Sequence, residues 1–403
     1  MIGPHPVDET RIDGGVQAAV HGLCRRLVAT GAVARLEVIA TPRRVGGVVT
    51  HTRVGDVPVT HLTAPWRFLA SSVLHVPKIL RGLRGSKRRI VHLHGSGLFE
   101  AALLVGCLLR RVPVVWTLHG LTEKETRDAW LRAPSPTARL RHLLYAVCER
   151  LQLRLAQSLI VDTPYVARAV ARRARAVPAP IPQGIDFAEF AAARAAERHG
   201  RLVVSVGVFH PRKGHDRTLA AFARVVARFP DARLELIGTL VDPAHFAELE
   251  ASVRRLGLAD EVRLRPDLPR AEVLDALGRA RLFALHSQEE SQGIAVCEAM
   301  AAGLPVVLTR AGGLPDVVAD TGAGRLVDFD DVEGFADAVV ELLGDDRARA
   351  TASAAAIARA RDFDWSDILR GVVERYRLAI AGRPNTRLPH YPDVRSAPPS
   401  ADE

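Results

Sequence analysis

Short apolar runs alternate with stretches whose apolar positions recur every three or four residues along nearly the whole chain. In the first half VARLEVIA (33–40), IVHLH (90–94), VPVVWTLH (112–119) and LIVDT (159–163) read as buried parallel strands. Between them Val16–Ala29, Leu98–Leu109, Thr137–Leu155 and Tyr165–Arg173 carry helical periodicity. The second half repeats the rhythm with RLVVSVG (201–207), ARLELIG (232–238), EVRLRP (261–266), RLFALHS (281–287), PVVLT (305–309) and GRLVDF (324–329). This alternation predicts an α/β chain of two tandem doubly wound, Rossmann-like domains with parallel sheets. The first is expected over 1–195 and the second over 200–363, with the boundary in AEFAAARAAERHGR (188–201). A last helix over 364–381 is expected to pack back on the first domain, and the Pro- and Arg-rich remainder, 382–403, to be a disordered tail. The opening strand is almost missing, since Ile2 is followed at once by GPHP; it is either stunted or cut short by a late start. Ligands of such folds bind where strand C-termini open, so the cleft between the domains is the expected site.

Composition narrows the class. A chain of 403 residues with 48% hydrophobic and 25% charged residues is neither disordered nor fibrous, and it has material for two or three domains. Its longest uncharged apolar stretch, Ala101 to Leu109, is far short of the roughly 20 residues of a membrane span. The start MIGPHPVDET has no basic region and no apolar core, so the cytoplasm is the expected compartment. Cys24, Cys107, Cys148 and Cys297 are scattered among apolar neighbours, which points to buried thiols and away from disulfides or a metal site.

The net charge of +10 is unevenly placed: residues 1–199 hold 29 Lys+Arg against 14 Asp+Glu, and residues 200–403 hold 26 against 31. A nucleic acid, an anionic membrane or a phosphorylated ligand each fits the basic half. With 5% aromatic residues and no stacking platform, zinc finger or recognition helix, nucleic acid is excluded as the expected partner. The stretch 65–89, PWRFLASSVLHVPKILRGLRGSKRR, holds seven Lys/Arg and no acid, with Trp66, Phe68, Leu74 and Ile79 between the charges. That pattern fits peripheral contact with an anionic bilayer at the inner face of the membrane, although Pro77 argues against one long straight helix and an ordinary surface helix has the same pattern.

Three loops carry candidate chemistry. In HSQEESQGIAVCEAMAAGLPVV (286–307) a strand ends in a loop with Glu289 and Glu290, and Gly293 opens a short helix containing Glu298. The unpaired N–H groups of that helix start, at Gly293 and Ile294, favour an anion, and flanking carboxylates accept hydrogen bonds from sugar hydroxyls. Upstream, VGVFHPRKGHD (206–216) offers Arg212 and Lys213, donors suited to a leaving diphosphate or to a solvated turn. The loop RAGGLPDVV (310–318) places Gly312 and Gly313 before Asp316, either for close ligand approach or for a tight turn.

Together these segments resemble the family-4 retaining glycosyltransferases of the GT-B fold, with Glu290 and Glu298 in their E-x7-E spacing as the most specific part. The resemblance spans most of the chain and implies a nucleotide-sugar donor in the second domain and an acceptor in the first: a glycolipid, polysaccharide precursor or small molecule. It implies that Glu290 meets the transferred sugar, Glu298 the ribose and Lys213 the diphosphate, with N–H groups near Gly293 and Ile294 helping. Gly14 and Gly15 correspond to the family's paired N-terminal glycines, and His119 to its histidine, here bonding the donor sugar; His92 and His94 stand nearby as candidate acceptor-lining residues. Val208 stands where the family commonly has an arginine, so that either Arg212 fills its place or the phosphate has one fewer partner, and Gln292 replaces a frequent aromatic. The catalytic set implied is His119, Glu290 and Lys213, acting with retention, without a metal and without a cofactor, the leaving diphosphate taking the acceptor proton. A sugar-nucleotide epimerase, a GT-B phosphorylase or a nucleotide-sugar-binding protein without catalysis are the alternatives. A Rossmann dehydrogenase is disfavoured because no strand is followed by G-x-G-x-x-G.

Overall fold

A computed structural model describes residues 1–6, 14–41, 49–55, 57–62, 71–83, 89–194, 198 and 200–383. They form two compact units. One takes the described residues up to 6, those from Val16 to Pro182 and those from Ile368 onward; the other takes Gly14, Gly15 and those from Gln183 to Asp367.

The first unit is built on eight strands: β1 Ile2–Gly3, β2 Val38–Ala40, β3 Thr50–Val54, β4 Val57–His61, β5 Val91–His94, β6 Val114–Leu118, β7 Leu159–Val161 and β8 Ala179–Pro180. They lie in the order β3-β4-β2-β1-β5-β6-β7-β8, parallel except for the β3–β4 hairpin. The two-residue β1 is central: Ile2 pairs with Ile39 on one side and Leu93 on the other. The run at 33–40 yields a strand only from Val38, because Arg35 and Glu37 are exposed and pair with each other in solvent at 2.5 Å. The β3–β4 hairpin has no apolar run to announce it; Thr and His side chains bond across it, His51 to Thr60 and Thr52 to His61.

The second unit has six parallel strands: β9 Arg201–Val206, β10 Ala232–Gly238, β11 Val262–Pro266, β12 Leu282–Leu285, β13 Val306–Thr309 and β14 Gly324–Val327. Their order is β11-β10-β9-β12-β13-β14. Successive residues enter opposite cores, Val204, Phe283 and Val306 on one face and Val203, Leu282, Ala284 and Val307 on the other. Burial of both faces is why β12 and β13 read as unbroken apolar runs, whereas the edge strand β11 interleaves arginines with its apolar residues.

The change of unit falls at Pro182/Gln183, inside PIPQGID, and not in 188–201. The helix Phe187–Ala192 belongs to the second unit because Phe190 is buried in its core and the Arg194 guanidinium donates to the Ala301 carbonyl at 2.8 and 3.0 Å. The final helix, Trp365–Ile380, starts in the second unit and joins the first from Ile368, where buried Tyr376 donates to or accepts from His92 at 2.7 Å. The tail expected to be disordered lies, from 384, outside the described residues. All four cysteines are free and buried.

Phe190→Ala is expected to lower the stability of the second unit by about 3–5 kcal/mol, the cost of a large-to-small change in a filled core. Denaturant unfolding followed by tryptophan fluorescence and circular dichroism measures this; a loss below about 1 kcal/mol would place Phe190 on a linker and restore the boundary near 195.

Candidate active site

In the second sheet β9 and β12 are neighbours whose chains depart in opposite directions, β9 to β10 and β12 to β13. The loops leaving their C-terminal ends therefore diverge and open a crevice at the switch point, the place where open α/β sheets take ligands. After β9 the chain turns through Pro211–Lys213 and reverses at Gly214, whose φ of +59° suits glycine. After β12 the loop carries Ser287 and Glu290, and the helix Ile294–Ala301 begins.

Lys213 Nζ donates to Glu290 Oε1, and Ser287 Oγ donates to the same oxygen at 2.7 Å. The two loops are also tied by the Gln288 N–H, which donates to the Arg212 carbonyl at 2.9 Å. Burial alone would raise the Glu290 pKa; the ammonium of Lys213, the Arg212 charge and the Ser287 hydroxyl reverse this and hold the carboxyl below its ordinary value. Glu290 is therefore ionised at neutral pH although it is buried.

The same residue anchors the third loop. The Gly313 N–H donates to the Glu290 carbonyl at 2.8 Å, and a Cβ on Gly312 would lie 2.0 Å from that carbonyl oxygen. Here the paired glycines serve close backbone packing. The Asp316 carbonyl accepts from Arg359 at 2.9 Å.

Glu298 lies one turn into the helix, with its carboxylate 3.9 Å from Arg270 Nη1. Arg270 is itself held by Glu189, Nε donating at 2.9 Å. Burial pushes the Glu298 pKa up to about 7; Arg270 opposes the rise and Glu189 adds to it. Gln292, in place of an aromatic, fastens the loop to Gln183: its Oε1 accepts from the Gln183 N–H at 2.7 Å and its Nε2 donates to the Gln183 carbonyl at 2.9 Å.

Six of the expected site residues, Arg212, Lys213, Glu290, Gly293, Ile294 and Glu298, thus gather within the second unit. Gly14 and Gly15 group with the same unit, and a Cβ on Gly15 would lie 3.4 Å from Ile294 Cδ1. Ser287, Arg270 and Glu189 complete the arrangement and were not among the expected residues. Ser287 had a signal in its three-residue spacing from Glu290; Arg270 and Glu189 had none, being brought in from the starts of distant helices.

His119 stands in the first unit, at the end of β6. Its Nε2 is 2.8 Å from His94 Nδ1, its Nδ1 is 3.4 Å from Asp162 Oδ1, and the His94 and His119 rings stack at 5.1 Å. Burial first, then His92, His119 and the N-terminal ammonium hold His94 well below its usual pKa, so it is neutral. His92 is bonded to Thr117 and Tyr376, both at 2.7 Å. The Nε2 of His119 is thus engaged by His94, while its Nδ1 is buried near Asp162 without a hydrogen bond. No cluster of three His, Cys, Asp or Glu suited to a metal ion occurs among the described residues.

Residues 13–189 match the family model described as Glycosyltransferase Family 4, and residues 186–359 match that described as Glycosyl transferases group 1. The D-inositol 3-phosphate glycosyltransferase of Segniliparus rotundus is 33% identical over 312 residues, covering 73% of this chain and 67% of that protein. The phosphatidyl-myo-inositol mannosyltransferase of Mycolicibacterium smegmatis is 37% identical over 201 residues, 49% of this chain and 50% of that one. Among solved structures, sucrose-phosphate synthase from Thermosynechococcus elongatus superposes with a TM-score of 0.75 at 23% identity, over 94% of this chain and 99% of that chain, a likeness of fold.

Glu298 gives a pH prediction. Folded, its carboxyl keeps a proton up to about pH 7, whereas unfolded it releases it near 4.5, so its contribution to stability falls as pH rises between those values. Glu298→Gln removes that titration, and its stability relative to wild type is expected to rise across the window by up to about 3 kcal/mol. Unfolding curves at several pH values measure the difference; a constant difference from pH 4.5 to 7 would contradict the burial-raised pKa.

Proposed function

The chain belongs to the family-4 glycosyltransferases of the GT-B fold, and from that premise we propose that it moves a sugar from a nucleotide-sugar donor to an acceptor with retention of anomeric configuration. The observation that carries this reading is the Lys213–Glu290 pair at the switch point beside the start of the helix Ile294–Ala301. An ammonium, a helix N-terminus and an ionised carboxylate together suit a diphosphate joined to a polyhydroxyl ring.

In this mechanism the diphosphate lies against the N–H groups at Gly293 and Ile294, with Lys213 and Arg212 taking up the charge that grows as the bond from the anomeric carbon to the phosphate oxygen breaks. Glu290, ionised, accepts hydrogen bonds from the sugar hydroxyls, and Glu298 accepts from the ribose. The acceptor oxygen bonds to the anomeric carbon on the face the phosphate leaves, and a leaving phosphate oxygen takes the acceptor proton. No metal or further cofactor enters the scheme, because cationic side chains supply the neutralisation. His119 would serve substrate in the first unit by exchanging its bond to His94 for one to a hydroxyl.

For the acceptor, the names of the relatives point to a phosphorylated inositol or its lipid ester, and the basic excess of residues 1–199 suits an anionic acceptor of that kind. Reaction at the cytoplasmic side follows from a nucleotide donor. Among the described residues no helix is long and apolar enough to cross a membrane. The stretch 65–89 expected to rest on a bilayer lies partly outside the described residues; within it Leu74, Lys78 and Arg81 are exposed.

A thermal-shift panel of UDP-, GDP- and ADP-sugars tests the proposal. At least one class is expected to stabilise the wild type and to lose that effect in Glu298→Ala, while no shift from any of them would remove the donor reading. Lys213→Met, checked for folding by its own melting curve, is expected to lower turnover at least 100-fold, the order found for losing one fixed charge donor; unchanged turnover would remove Lys213 from the reaction.

A further inference from the structure

The helix Pro136–Leu155 of the first unit has a face that the proposed reaction does not use. Its residues Leu140, Leu143, Val147 and Leu151 are 60%, 51%, 62% and 41% exposed, so four large apolar side chains face solvent on one helix. At about 100° per residue they fall within an arc of about 80°, a continuous stripe over three turns. Scattered exposed leucines are ordinary, but an aligned stripe of this length is a surface in want of a partner.

The charge around the stripe names the partner. Arg139, Arg141, Arg150 and Arg154 are exposed on the same helix, and its one acid, Glu149, is fully buried. By the same helical count Arg139 and Arg150 lie on one flank of the stripe, Arg141 lies on the other, and Arg154 ends it. Arg150 is paired with Glu123 at 2.5 Å; among the described residues Arg139, Arg141 and Arg154 make no ion pair. Half-buried Trp130 adds an amphipathic ring beside the first turns, stacked on His142 with the Arg139 guanidinium over it. Exposed Leu131, on the preceding helix Thr122–Arg132, is a further apolar contact.

We propose that the exposed face of Pro136–Leu155 is a docking surface for an anionic phospholipid bilayer, its leucines dipping below the headgroups and its arginines meeting their phosphates. A second copy of the chain fits less well. A two-fold pairing of the stripes would bring arginines against arginines with no exposed acid on either helix to pair them. An anionic headgroup layer neutralises all of them and covers the stripe at once. The proposal rests on residues of Pro136–Leu155 and on Trp130 and Leu131, not on residues 65–89.

Co-sedimentation of the full chain with vesicles of phosphatidylcholine containing about one-third phosphatidylglycerol tests the proposal. The wild type is expected to bind these vesicles at low salt and to bind pure phosphatidylcholine far more weakly. At about fivefold per arginine near an anionic surface, the triple change Arg139→Glu, Arg141→Glu and Arg154→Glu is expected to lower partitioning about 100-fold. Leu143→Gln with Val147→Gln and Leu151→Gln is expected to lower binding too, with less dependence on salt. All six side chains are exposed, so melting temperature and nucleotide-sugar stabilisation should stay at wild-type values. The proposal is overturned by any of three results: no vesicle binding, binding untouched by both sets but lost in Lys78→Glu with Arg81→Glu, or a dimer in light scattering that the leucine set dissolves. Donor stabilisation is measured without vesicles, so failure here is distinct from failure of the glycosyltransferase reading.

Discussion

The ion pair of Glu290 and Lys213 is the contact on which the second unit's site depends. A carboxylate taken out of water is costly unless a charge and hydrogen bonds meet it there. Lys213 supplies the charge and Ser287 a second bond, and together they overcome burial and keep Glu290 ionised. Because the partners sit on the loops after β9 and β12, the pair closes over the gap that divergence of those loops creates. The Glu290 carbonyl then fixes the Gly313 amide, so three loops and the following helix start are located through one residue.

This explains the form of each neighbouring segment. Gly312 has no room for a Cβ against the Glu290 carbonyl. Gln292 is not a degraded aromatic position but a clasp, bonding the Gln183 backbone at both its oxygen and its nitrogen. Glu298 has a weaker partner in Arg270 and no hydroxyl beside it, which is why burial prevails there and its proton is held to about pH 7. Two glutamates eight residues apart thus have pKa values moved in opposite directions by their surroundings alone, Glu290 down and Glu298 up to about 7.

Much of this was legible in the sequence, and the exceptions have physical causes. Strands β12 and β13 were plain because both their faces are buried, and Lys213 and Glu290 stood out in loops after strands, with Glu298 in the short helix that Gly293 opens. The pairing of Lys213 with Glu290, 77 residues apart, follows from strand order, which local patterns do not contain. The β3–β4 hairpin escaped because Thr and His carry its contacts, and Phe187–Ala192 looked like a linker because only Phe190 is fully buried there, with Phe187 half-buried against the core. His119 was found by its place after β6, but its engagement by His94 and Asp162 was not. The net charge changed meaning most. Part of the basic excess of residues 1–199 lies on the exposed face of Pro136–Leu155, beside apolar residues, where among the described residues only Arg150 is paired with an acid, Glu123.

The claim that one buried pair organises the site is tested most directly by a double-mutant cycle on stability with Lys213→Met, Glu290→Gln and the two combined. Each single change leaves a buried group without its partner, and the double change leaves neither charge. The account predicts a strongly non-additive cycle, the double variant more stable than the sum of the single losses implies by at least about 2 kcal/mol. Losses that add to within about 0.5 kcal/mol would show the two side chains to be energetically independent and would contradict it.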